Sequence, residues 1–570
     1  MDSRISSILL LASLVFSSQK IIHASWAEET LQHMTLREKI GQLFVIAAAS
    51  CFDQPEEALA SMMFKSRLNM SQEYVTSMIN EYQVGGIIFL FKSTPEKQIE
   101  FMNYYYSLST YPMWTFQDCE WGLSMRLYDT MRFPKNMTLG AIQDDDLLYE
   151  LGKEIGRQCK VIGVDVNLAP VIDVNNNAAN PVIFDRSFGE DKNNVTEKAI
   201  QMMLGMHDAG ILTCAKHFPG HGDTAVDSHF ALPIIYHDKL RLHEIELFPF
   251  KKIIAAGVPA IMTAHLHIPV YDVRANSASS LSSALVTDLL QKELGFAGLI
   301  ITDGLCMDAV TNHVQPGELE LQAYLAGNDI LLAPIDVVAA VGAIERALRD
   351  GRITLSELDR RVLKILRAKE RLGVHNRDPI DVRKVQAQLH TPDAYALKKR
   401  LFQEAITLVG NGNTLREILP CKKLALVQIG GVPESIFVQI ILKNNSCSFF
   451  HVPSQTFNCA HLEQQLTSCD SVIVGIFDMN KFAAKNYGLS NSTLKLLSTL
   501  REQGKKFVVT LFGNPYSLKY FNQNDVVIVA YEDDSDAQEA AAHVLLGNLE
   551  AHGKLPVTAS YELDERLKNT

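Results

Sequence analysis

The sequence predicts an α/β protein in which a TIM-like (β/α) barrel is followed by a smaller α/β sandwich domain. Three observations support this fold class. At 570 residues the chain is too long for a single hydrophobic core, so two or more domains are expected. Between residues 41 and 334, eight short apolar runs alternate with helix-like segments, and most of them end in polar, reactive residues. After residue 400, a second and shorter series of apolar runs begins.

The strands of the barrel are predicted from runs rich in Val, Ile and Leu, the pattern of parallel strands that are buried on both faces. In chain order these runs are GQLFVIAA, VGGIIFL, MWTFQD, VDVNLAPVIDV, ILTCAKHF, VPAIMTAHL, GLIITDG and NDILLAP. Between them, segments such as DDDLLYELGKEIGRQCKV and SALVTDLLQKELGF have helical spacing and acidic or Ser/Thr starts. Eight such alternations are expected of a barrel, although a doubly wound sheet would show the same rhythm.

Polar residues at the ends of these runs favour the barrel. They are Asp118, Glu120, Asp173, Lys216, His217, His265, His267 and Asp303. In a barrel, the C-terminal strand ends meet at one mouth, where active sites lie, whereas an open sheet gathers ligands mainly at its switch point. One polar strand end is more often a helix cap, but a set drawn from five runs predicts a functional site.

The second domain is predicted to follow a polar stretch with two prolines, GVHNRDPIDVRKVQAQLHTPDA. We expect the barrel over residues 26–375, a linker over 376–400 and the second domain over 401–570. Its predicted strands are KKLALVQIGG, DSVIVGIF, KKFVVTLFGNP and DVVIVAY, again separated by helical segments. Because QIGGVPES lacks the GxGxxG spacing, no nucleotide is expected there.

The N-terminal segment predicts export. MDSRISSILLLASLVFSSQ places one arginine before an apolar stretch that is too short to span a bilayer, and small residues follow at Ala24 and Ser25. We therefore expect a signal peptide over residues 1–25 and a periplasmic or extracellular protein, or a cytoplasmic one if the segment is not a signal. No integral membrane segment is expected in the mature chain.

Composition argues against two further classes of protein. The 53 basic and 65 acidic residues give a net charge of -12, and no Lys/Arg-rich run is present, so a nucleic-acid partner is not expected. Nine scattered cysteines form no CxxC pair and no zinc spacing, which favours buried thiols over a disulfide framework.

The stretch KHFPGHGDTAVDSHF, residues 216–230, carries the densest set of reactive side chains. It holds three histidines, two aspartates and a lysine, which suit a metal site, a proton-transfer site or an ordinary polar loop. An imidazole with an intrinsic pKa near ~6.5 can donate and accept a proton near neutral pH. A neighbouring carboxylate would hold its tautomer and stabilise the imidazolium.

Together with DRSFGED upstream and ITDGLCM downstream, KHFPGHG followed by DSH resembles the β-N-acetylhexosaminidase branch of glycoside hydrolase family 3, in its two-domain form. MTLREKIGQLF, VGGIIFLF, QDCEWGLSMRL and LLGNLEAHGKLPV are similar to further landmarks of the family, so the resemblance covers nearly the whole mature chain. The rest of the family takes its acid/base carboxylate from the second domain, so the DSH loop points to this branch.

The resemblance implies a retaining exo-glycosidase that removes terminal β-linked N-acetylglucosamine, from cell-wall or muropeptide glycans, through a covalent intermediate. Its partner would be an oligosaccharide or glycopeptide substrate, with no cofactor and no metal. Asp303 matches the nucleophile, His229 the acid/base and Asp227 its dyad partner. The sugar-binding residues implied in the same way are Asp118, Arg126, Arg186, Lys216 and His217. From the residues alone, Asp303 also suits a helix cap, and Arg126 a structural ion pair.

Two departures from the family pattern leave the sugar preference open. The run Glu120, Trp121 and Gly122 stands where the family often has Asp-Gly-Gly-like or Glu-Gly-Gly-like residues, and Trp121 suits either a sugar face or the barrel rim. Beside the nucleophile, Gly304 and Cys306 replace the family's second Asp and Ser.

Three alternatives to this function therefore remain. The first is a β-glucosidase of the same family, and the second is an inactive glycan-binding relative. The third is a metal-dependent barrel hydrolase whose ligands would come from His217, His221, His265 and His267. The late position of the HxH pair along the chain speaks against a metal site of the usual kind.

Overall fold

The computed structural model describes residues 25–49 and 67–559 of the chain. The predicted signal peptide lies outside the described residues except for Ser25, which caps the first helix, Trp26–His33. Within the part of the chain that is described, no helix combines the length and the apolar character needed to cross a bilayer.

The first domain is a parallel barrel of eight strands. These are β1 (Phe44–Ala48), β2 (Gly86–Phe89), β3 (Trp114–Gln117), β4 (Val166–Asn167), β5 (Leu212–Phe218), β6 (Ala260–Thr263), β7 (Leu299–Thr302) and β8 (Leu331–Leu332). From β1 to β7 each strand pairs with its neighbour in sequence, and β8 pairs with β1. A bridge between Ile301 and Ile330 brings the two ends of the sheet together. Each predicted run contains one of these strands, so the predicted barrel is confirmed.

Burial explains why the strands could be predicted. Every residue of the eight strands is buried, because barrel side chains lie on one face and helices cover the other. Many of the helices begin at a Ser, Thr or Asp whose side chain accepts a hydrogen bond from the first turn, as Asp191 and Thr354 do. The helices of this domain are Trp26–His33, Leu36–Gly41, Gln72–Tyr82, Pro95–Leu108, Asn136–Leu139, Asp146–Val161, Lys192–Asp208, Lys239–Glu244, Leu247–Ala255, the π-helix Ala284–Glu293, Asp308–Thr311, Glu318–Ala326, Val337–Arg349 and Leu355–Leu372.

The second domain contains a six-stranded mixed sheet. Its strands are β9 (Thr407–Val409), β10 (Leu424–Ile429), β11 (Cys447–Val452), β12 (Ser471–Ile476), β13 (Lys506–Leu511) and β14 (Val526–Val529), in the order β11-β10-β12-β13-β14-β9. All neighbours are parallel except β14 and β9. The helices around this sheet are Asn413–Ile418, Ile436–Asn444, Cys459–Leu466, Asn491–Glu502 and Ser535–Leu545. The four predicted runs form β10, β12, β13 and β14.

The segment that the sequence predicts as a linker, residues 376–400, packs against the barrel. It contains the helix Val385–Leu389 and most of the helix Pro392–Ala405. The side chain of Asn103 exchanges two hydrogen bonds with the backbone of Ile380, at 3.0 and 3.1 Å. Arg377 forms an ion pair with Asp165 at the end of the barrel. These contacts tie the connection between the domains to the first domain.

The two domains also contact each other directly. The buried carboxylate of Glu532 accepts hydrogen bonds from the backbone N–H of Lys135 (2.7 Å) and from the hydroxyl of Thr138 (2.6 Å). Near the C-terminus, the backbone N–H of Glu190 donates to the carbonyl of Pro556 at 3.0 Å. Gly189 has a φ of +129°, and a Cβ there would lie 2.2 Å from that carbonyl oxygen, so this close approach requires glycine.

Candidate active site

A cavity of about 310 Å³ opens at the C-terminal mouth of the barrel. Its wall includes residues from the ends of β3, β5 and β7 and from the loop that follows β5. All eight residues that the sequence predicts for the site line this one cavity: Asp118, Arg126, Arg186, Lys216, His217, Asp227, His229 and Asp303. The structure thus brings together side chains that are spread over almost 190 positions of the sequence, because the barrel collects its strand ends at one mouth.

Asp303 directly follows β7, and its carboxylate accepts a hydrogen bond of 2.7 Å from the backbone N–H of Gly304. Burial would raise the pKa of this carboxyl, but the neighbouring His217, His265 and His229 outweigh it and hold that pKa below its usual range. The carboxylate is therefore ionised at neutral pH, as a nucleophile must be. The next helix begins at Asp308 and has Met307 at its N-cap, so Asp303 does not cap it.

His229 and Asp227 form a pair on the loop after β5. Nδ1 of His229 lies 2.7 Å from Oδ1 of Asp227, and the same oxygen accepts the backbone N–H of His229 at 2.8 Å. Burial opposes ionisation of Asp227, but the hydrogen bond and the charge of His229 lower its pKa. Because Nδ1 is bonded to the carboxylate, proton exchange with a ligand would use Nε2. The pair has the geometry of a histidine oriented by a carboxylate.

A cluster of buried and partly buried charges lies in and behind the wall of the cavity. Nζ of Lys216 is 2.8 Å from Oδ1 of Asp118 and 2.9 Å from Oε1 of Glu120. Arg126 donates to the other oxygen of Asp118 at 2.6 Å, and Arg186 binds Glu120 through both Nε (2.9 Å) and Nη2 (2.7 Å). Every cation of the cluster therefore faces a carboxylate. Arg126 forms the structural ion pair that the sequence also allowed for it, and it lines the cavity as well.

These cations keep the carboxylates ionised. Burial acts to raise the pKa of Glu120, but Arg186 and then Lys216 lower it to about 2. In the same way burial opposes ionisation of Asp118, while Lys216 and Arg126 hold its pKa well below the usual range. Ionised carboxylates and fixed ammonium and guanidinium donors are suited to binding the hydroxyl groups of a sugar.

Glu120 and Asp173 are among the polar strand ends from which the sequence predicts a functional site, but the sequence predicts no role for either; the structure places both against residues that line the cavity. Oδ2 of Asp173 lies 2.7 Å from Nδ1 of His217, and Oδ1 accepts the backbone N–H groups of His217 (3.2 Å) and His221 (2.7 Å). Asp173 therefore fixes the ring of His217 and the start of the loop. Their positions at the ends of predicted strands indicated the site, whereas their partners, which are distant in sequence, could not be predicted.

The remaining histidines of the site are held by protein groups. His221 bonds to the hydroxyls of Thr224 (2.8 Å) and Ser228 (3.0 Å), and burial, followed by the charge of His217, lowers its pKa to about 4. His265 bonds to Ser280 at 2.7 Å and to the carbonyl of Gly304 at 3.0 Å. His265 thus supports the backbone beside Asp303.

This bonding leaves two of the four histidines of the metal-hydrolase alternative without a ring nitrogen for a metal ion. Both ring nitrogens of His221 and of His265 bond to protein groups, and Nδ1 of His267 bonds to a backbone carbonyl at 3.2 Å. Among the described residues, the one grouping of three ligand-type side chains is Asp223, His237 and Glu246, outside the catalytic cavity. There the guanidinium of Arg241 already neutralises Glu246, at 2.8 Å.

The positions that depart from the family pattern differ in where they lie. Gly304 and Cys306 line the cavity, and a Cβ at Gly304 would meet no atom closer than 3.5 Å, so space does not require glycine there. Trp121 is not part of the cavity wall; the ammonium of Lys135 lies 5.3 Å from the centre of its ring. This position favours the barrel rim over a sugar face for Trp121.

Comparison with known proteins identifies the family to which the chain belongs. The family model described as "Glycosyl hydrolase family 3 N terminal domain" matches residues 35–368, and "Glycosyl hydrolase family 3 C-terminal domain" matches residues 333–569. Beta-hexosaminidase A of Pseudoalteromonas piscicida is 28% identical over 556 residues, which cover 85% of this chain and 91% of that protein. A beta-N-acetylglucosaminidase/beta-glucosidase of Cellulomonas fimi is 26% identical over 421 residues, 72% of this chain and 71% of the relative.

A solved structure agrees over both domains. The glycoside hydrolase family 3 beta-N-acetylglucosaminidase from a Paenibacillus species superposes with a TM-score of 0.75 and 29% identity, covering 92% of this chain and 99% of its own. The first family model alone matches more than half of the sequence, including all eight strands of the barrel and the whole cavity cluster from Asp118 to Asp303. The chain is a glycoside hydrolase and belongs to glycosyl hydrolase family 3.

Proposed function

We propose that the protein is a retaining exo-β-N-acetylglucosaminidase, which releases terminal β-linked N-acetylglucosamine through a covalent glycosyl-enzyme intermediate. The observation that carries this proposal is the presence, in one cavity, of the ionised carboxylate of Asp303 and the Asp227–His229 pair. Double displacement needs one ionised nucleophile and one group that first donates and then accepts a proton. The names of the relatives support the choice of N-acetylglucosamine.

In the first step, the carboxylate of Asp303 attacks the anomeric carbon and the bond to the leaving oxygen breaks. Protonated His229 gives its Nε2 proton to that oxygen, so the leaving group departs as a neutral alcohol. Asp227 holds the ring through Nδ1 and stabilises the imidazolium before the transfer.

In the second step, neutral His229 removes a proton from water through Nε2. The resulting hydroxide attacks the anomeric carbon, the bond to Asp303 breaks, and the carboxylate is restored. The product keeps the β configuration because two inversions occur in succession. His229 ends the cycle protonated, as it began.

The buried cluster would orient the sugar during both steps. Lys216 and Arg186 supply donors, and Asp118 supplies acceptor oxygens, all fixed by mutual ion pairs before a ligand arrives. At about 310 Å³ the cavity is near the lower end of the range of about 300–1,000 Å³ seen for ligand sites, which suits one terminal sugar and therefore exo action.

The proposal extends to the natural glycan and to the place of action. Cell-wall or muropeptide glycans are the proposed substrates, on the strength of the family resemblance. An exported site of action is supported by the apolar N-terminal segment, MDSRISSILLLASLVFSS, with its small residues at Ala24 and Ser25.

A comparison of two aryl substrates tests the sugar preference. The purified protein should hydrolyse an aryl β-N-acetylglucosaminide with a higher kcat/KM than the matching aryl β-glucoside, and nuclear magnetic resonance of the first product should show the β anomer. The C. fimi relative, whose name includes both activities, makes β-glucosidase the second candidate. A preference for the glucoside would select that candidate, and an initial α anomer would refute retention.

A further inference from the structure

A second cavity, of about 360 Å³, lies between the two domains. The second domain contributes the segments that follow β12, β13 and β14, and the barrel contributes the turn Phe184–Arg186 and residues 132–138. In open α/β sheets, ligands bind outside the carboxyl ends of the strands, at the point where the strand order reverses. Here the strand order reverses between β10 and β12, and the cavity lies beside that point, at the carboxyl ends of β12, β13 and β14. Asp478, just after β12, accepts the backbone N–H of Gly431 at 3.0 Å.

One polar group in this cavity has no partner among the described residues. Asn514 is 8% exposed, and its Oδ1 accepts the backbone N–H of Tyr516 at 2.9 Å, while its Nδ2 meets no acceptor. Buried side-chain donors nearly always have a partner, so an unpaired one in a cavity wall indicates a ligand position. The exposed carboxylates of Asp478 and Asp533 line the same cavity and offer acceptors there.

The backbone around the cavity is also unusual. Phe184, Asp478 and Tyr531 have φ values of +38°, +52° and +63°, and all three line the cavity. Ten non-glycine residues in the described ranges have positive φ, so three of them meet at this one place. Such conformations are costly for large side chains and concentrate at sites that bind ligands.

The chemistry of the wall selects the ligand class. Buried aromatic rings of Phe184, Phe512 and Tyr531 supply apolar faces, and Asn514, Asp478 and Asp533 supply one donor and several acceptors. Two of the three cations of the wall are already paired with carboxylates, Lys135 with Asp185 at 2.5 Å and Arg132 with Glu532.

An anionic ligand would meet the exposed carboxylates of Asp478 and Asp533, whereas a neutral ring with many hydroxyl groups would pack on the apolar surface and hydrogen-bond to the polar atoms. We propose that the cavity between the domains is a second saccharide site, which binds a neutral sugar unit separately from the catalytic cavity.

The two sites share a wall. Lys481, from the second domain, lines both cavities and donates to the carbonyl of Pro181 at 3.3 Å. Within the turn Phe184–Arg186, Arg186 lines the catalytic cavity while Phe184 and Asp185 line the other. The bound sugar therefore comes from one of two sources: a distal unit of the glycan that is being cleaved, or a separate glycan chain.

Asn514→Asp is the sharpest test, because it keeps the oxygen that caps the following turn and removes only the unpaired donor. Asp533→Asn is the second variant; it keeps an oxygen for the 2.7 Å hydrogen bond from Gln538 and removes the charge. The matched control is Asn458→Asp, in the same domain, where another asparagine caps a helix at 3.1 Å from the backbone N–H of His461, outside both cavities.

Binding is measured by calorimetry on the full chain carrying Asp303→Asn, with N-acetylglucosamine, with its β-1,4-linked tetrasaccharide, and with a neutral glucose tetrasaccharide. A separate glycan predicts two binding events per chain for a tetrasaccharide. If the bound sugar is a distal unit of the same glycan, we expect one binding event whose affinity rises from the monosaccharide to the tetrasaccharide. In the first case Asn514→Asp and Asp533→Asn should lower the affinity of the second binding event. In the second case they should reduce the affinity gained from the monosaccharide to the tetrasaccharide. Either change should be about threefold to tenfold, as expected for one hydrogen bond. Asn458→Asp should change neither.

One binding event with equal affinity for all three sugars, or affinities that neither variant changes, would overturn the proposal. The binding signal does not depend on turnover, and the glucose probe keeps the test valid if the catalytic cavity prefers glucose. Failure of the proposed function and failure of this site would therefore be seen separately. In the chain with Asp303 intact, Asn514→Asp should hydrolyse an aryl substrate at the same rate as the control variant. That result would show that the Asn514→Asp variant is folded.

Discussion

Replacing His229 with alanine should slow the two chemical steps to different extents, depending on the leaving group. Departure of nitrophenolate needs little protonation, so the first step should survive with a nitrophenyl glycoside. A sugar leaving group needs the proton, so that substrate should suffer the larger loss. The second step needs a base to activate water in both cases, and the covalent intermediate on Asp303 should therefore accumulate.

The size of the effect follows from the geometry of the pair. The variant loses the 2.7 Å ion pair with Asp227, whose two side chains are 34% and 26% exposed, and an ion pair this exposed contributes about 1 kcal/mol or less of folding free energy. General acid–base catalysis contributes about 10²–10⁴-fold, or about 3–5 kcal/mol of barrier. The loss of kcat/KM on a disaccharide should lie in that range. Asp227→Ala should show the same pattern with a smaller loss, because it only orients and polarises the ring.

The assay compares kcat/KM for a nitrophenyl N-acetylglucosaminide and for the N-acetylglucosamine disaccharide, and it follows the first turnover by stopped flow. A burst of nitrophenolate is expected for His229→Ala. His237→Ala is the matched control, because His237 also pairs with a carboxylate, Asp223, at 2.6 Å and is 36% exposed, but lies outside the cavity. Equal losses on both substrates with no burst would mean that His229 does not carry the proton.

Three further predictions can be tested on the same protein. Asp303→Asn should abolish turnover on every substrate while thermal unfolding stays close to that of the parent chain; turnover comparable to the parent would exclude Asp303 as the nucleophile. Glu120 has a pKa of about 2 in the fold and an ordinary value of 4.5, so its contribution to stability is present above pH 4.5 and is lost as the pH falls towards 2. Glu120→Gln should make the unfolding free energy less dependent on pH in that window, as measured by denaturant titration, and an unchanged pH dependence would contradict this. N-terminal sequencing of the protein from its native cell should find a mature chain that begins near Ser25, and a chain that still begins at Met1 would argue against export.

The barrel could be predicted from the sequence because strands buried on both faces are apolar along their whole length. The edge of the second sheet lacks that signal. In β11, CSFFHV, each residue is at least partly exposed, and β9 has only three residues, one of which is partly exposed. An edge strand covered on one face carries a mixed pattern, and its pairing depends on a neighbour that is distant in sequence. This is why β10, β12, β13 and β14 were predicted and β9 and β11 were not.

The same distinction applies to the site. Asp227 and His229 lie two positions apart, so a local motif contains the whole pair. Glu120 meets Arg186 and Lys216 across 66 and 96 positions, and such a pairing across the barrel has no local pattern in the sequence. The position of Lys481 is harder still to predict, because nothing in the neighbouring sequence indicates which loop of the second domain faces the cavity. Local chemistry was therefore predictable, and the side chains that support it from other strands were not.

The buried charges beside the cavity would link the proposed sugar binding to folding. Lys216 and Glu120 are 2% and 1% exposed, and taking such ions out of water costs more than their attraction returns unless every remaining donor is also paired. In this cluster Lys216 pairs with Asp118 and Glu120, and Arg186 pairs with Glu120, so each of these buried charges faces an opposite one. Apolar residues of similar volume would often give a more stable barrel, but they would not hold donors and acceptors against a sugar. Removing one member of the cluster leaves a buried charge without its partner, which should cost about 3–5 kcal/mol of folding free energy. It should also displace a group that is proposed to contact the sugar. Both thermal unfolding and KM should therefore change in Glu120→Gln, and a change in KM alone would show that the cluster serves binding without supporting the fold.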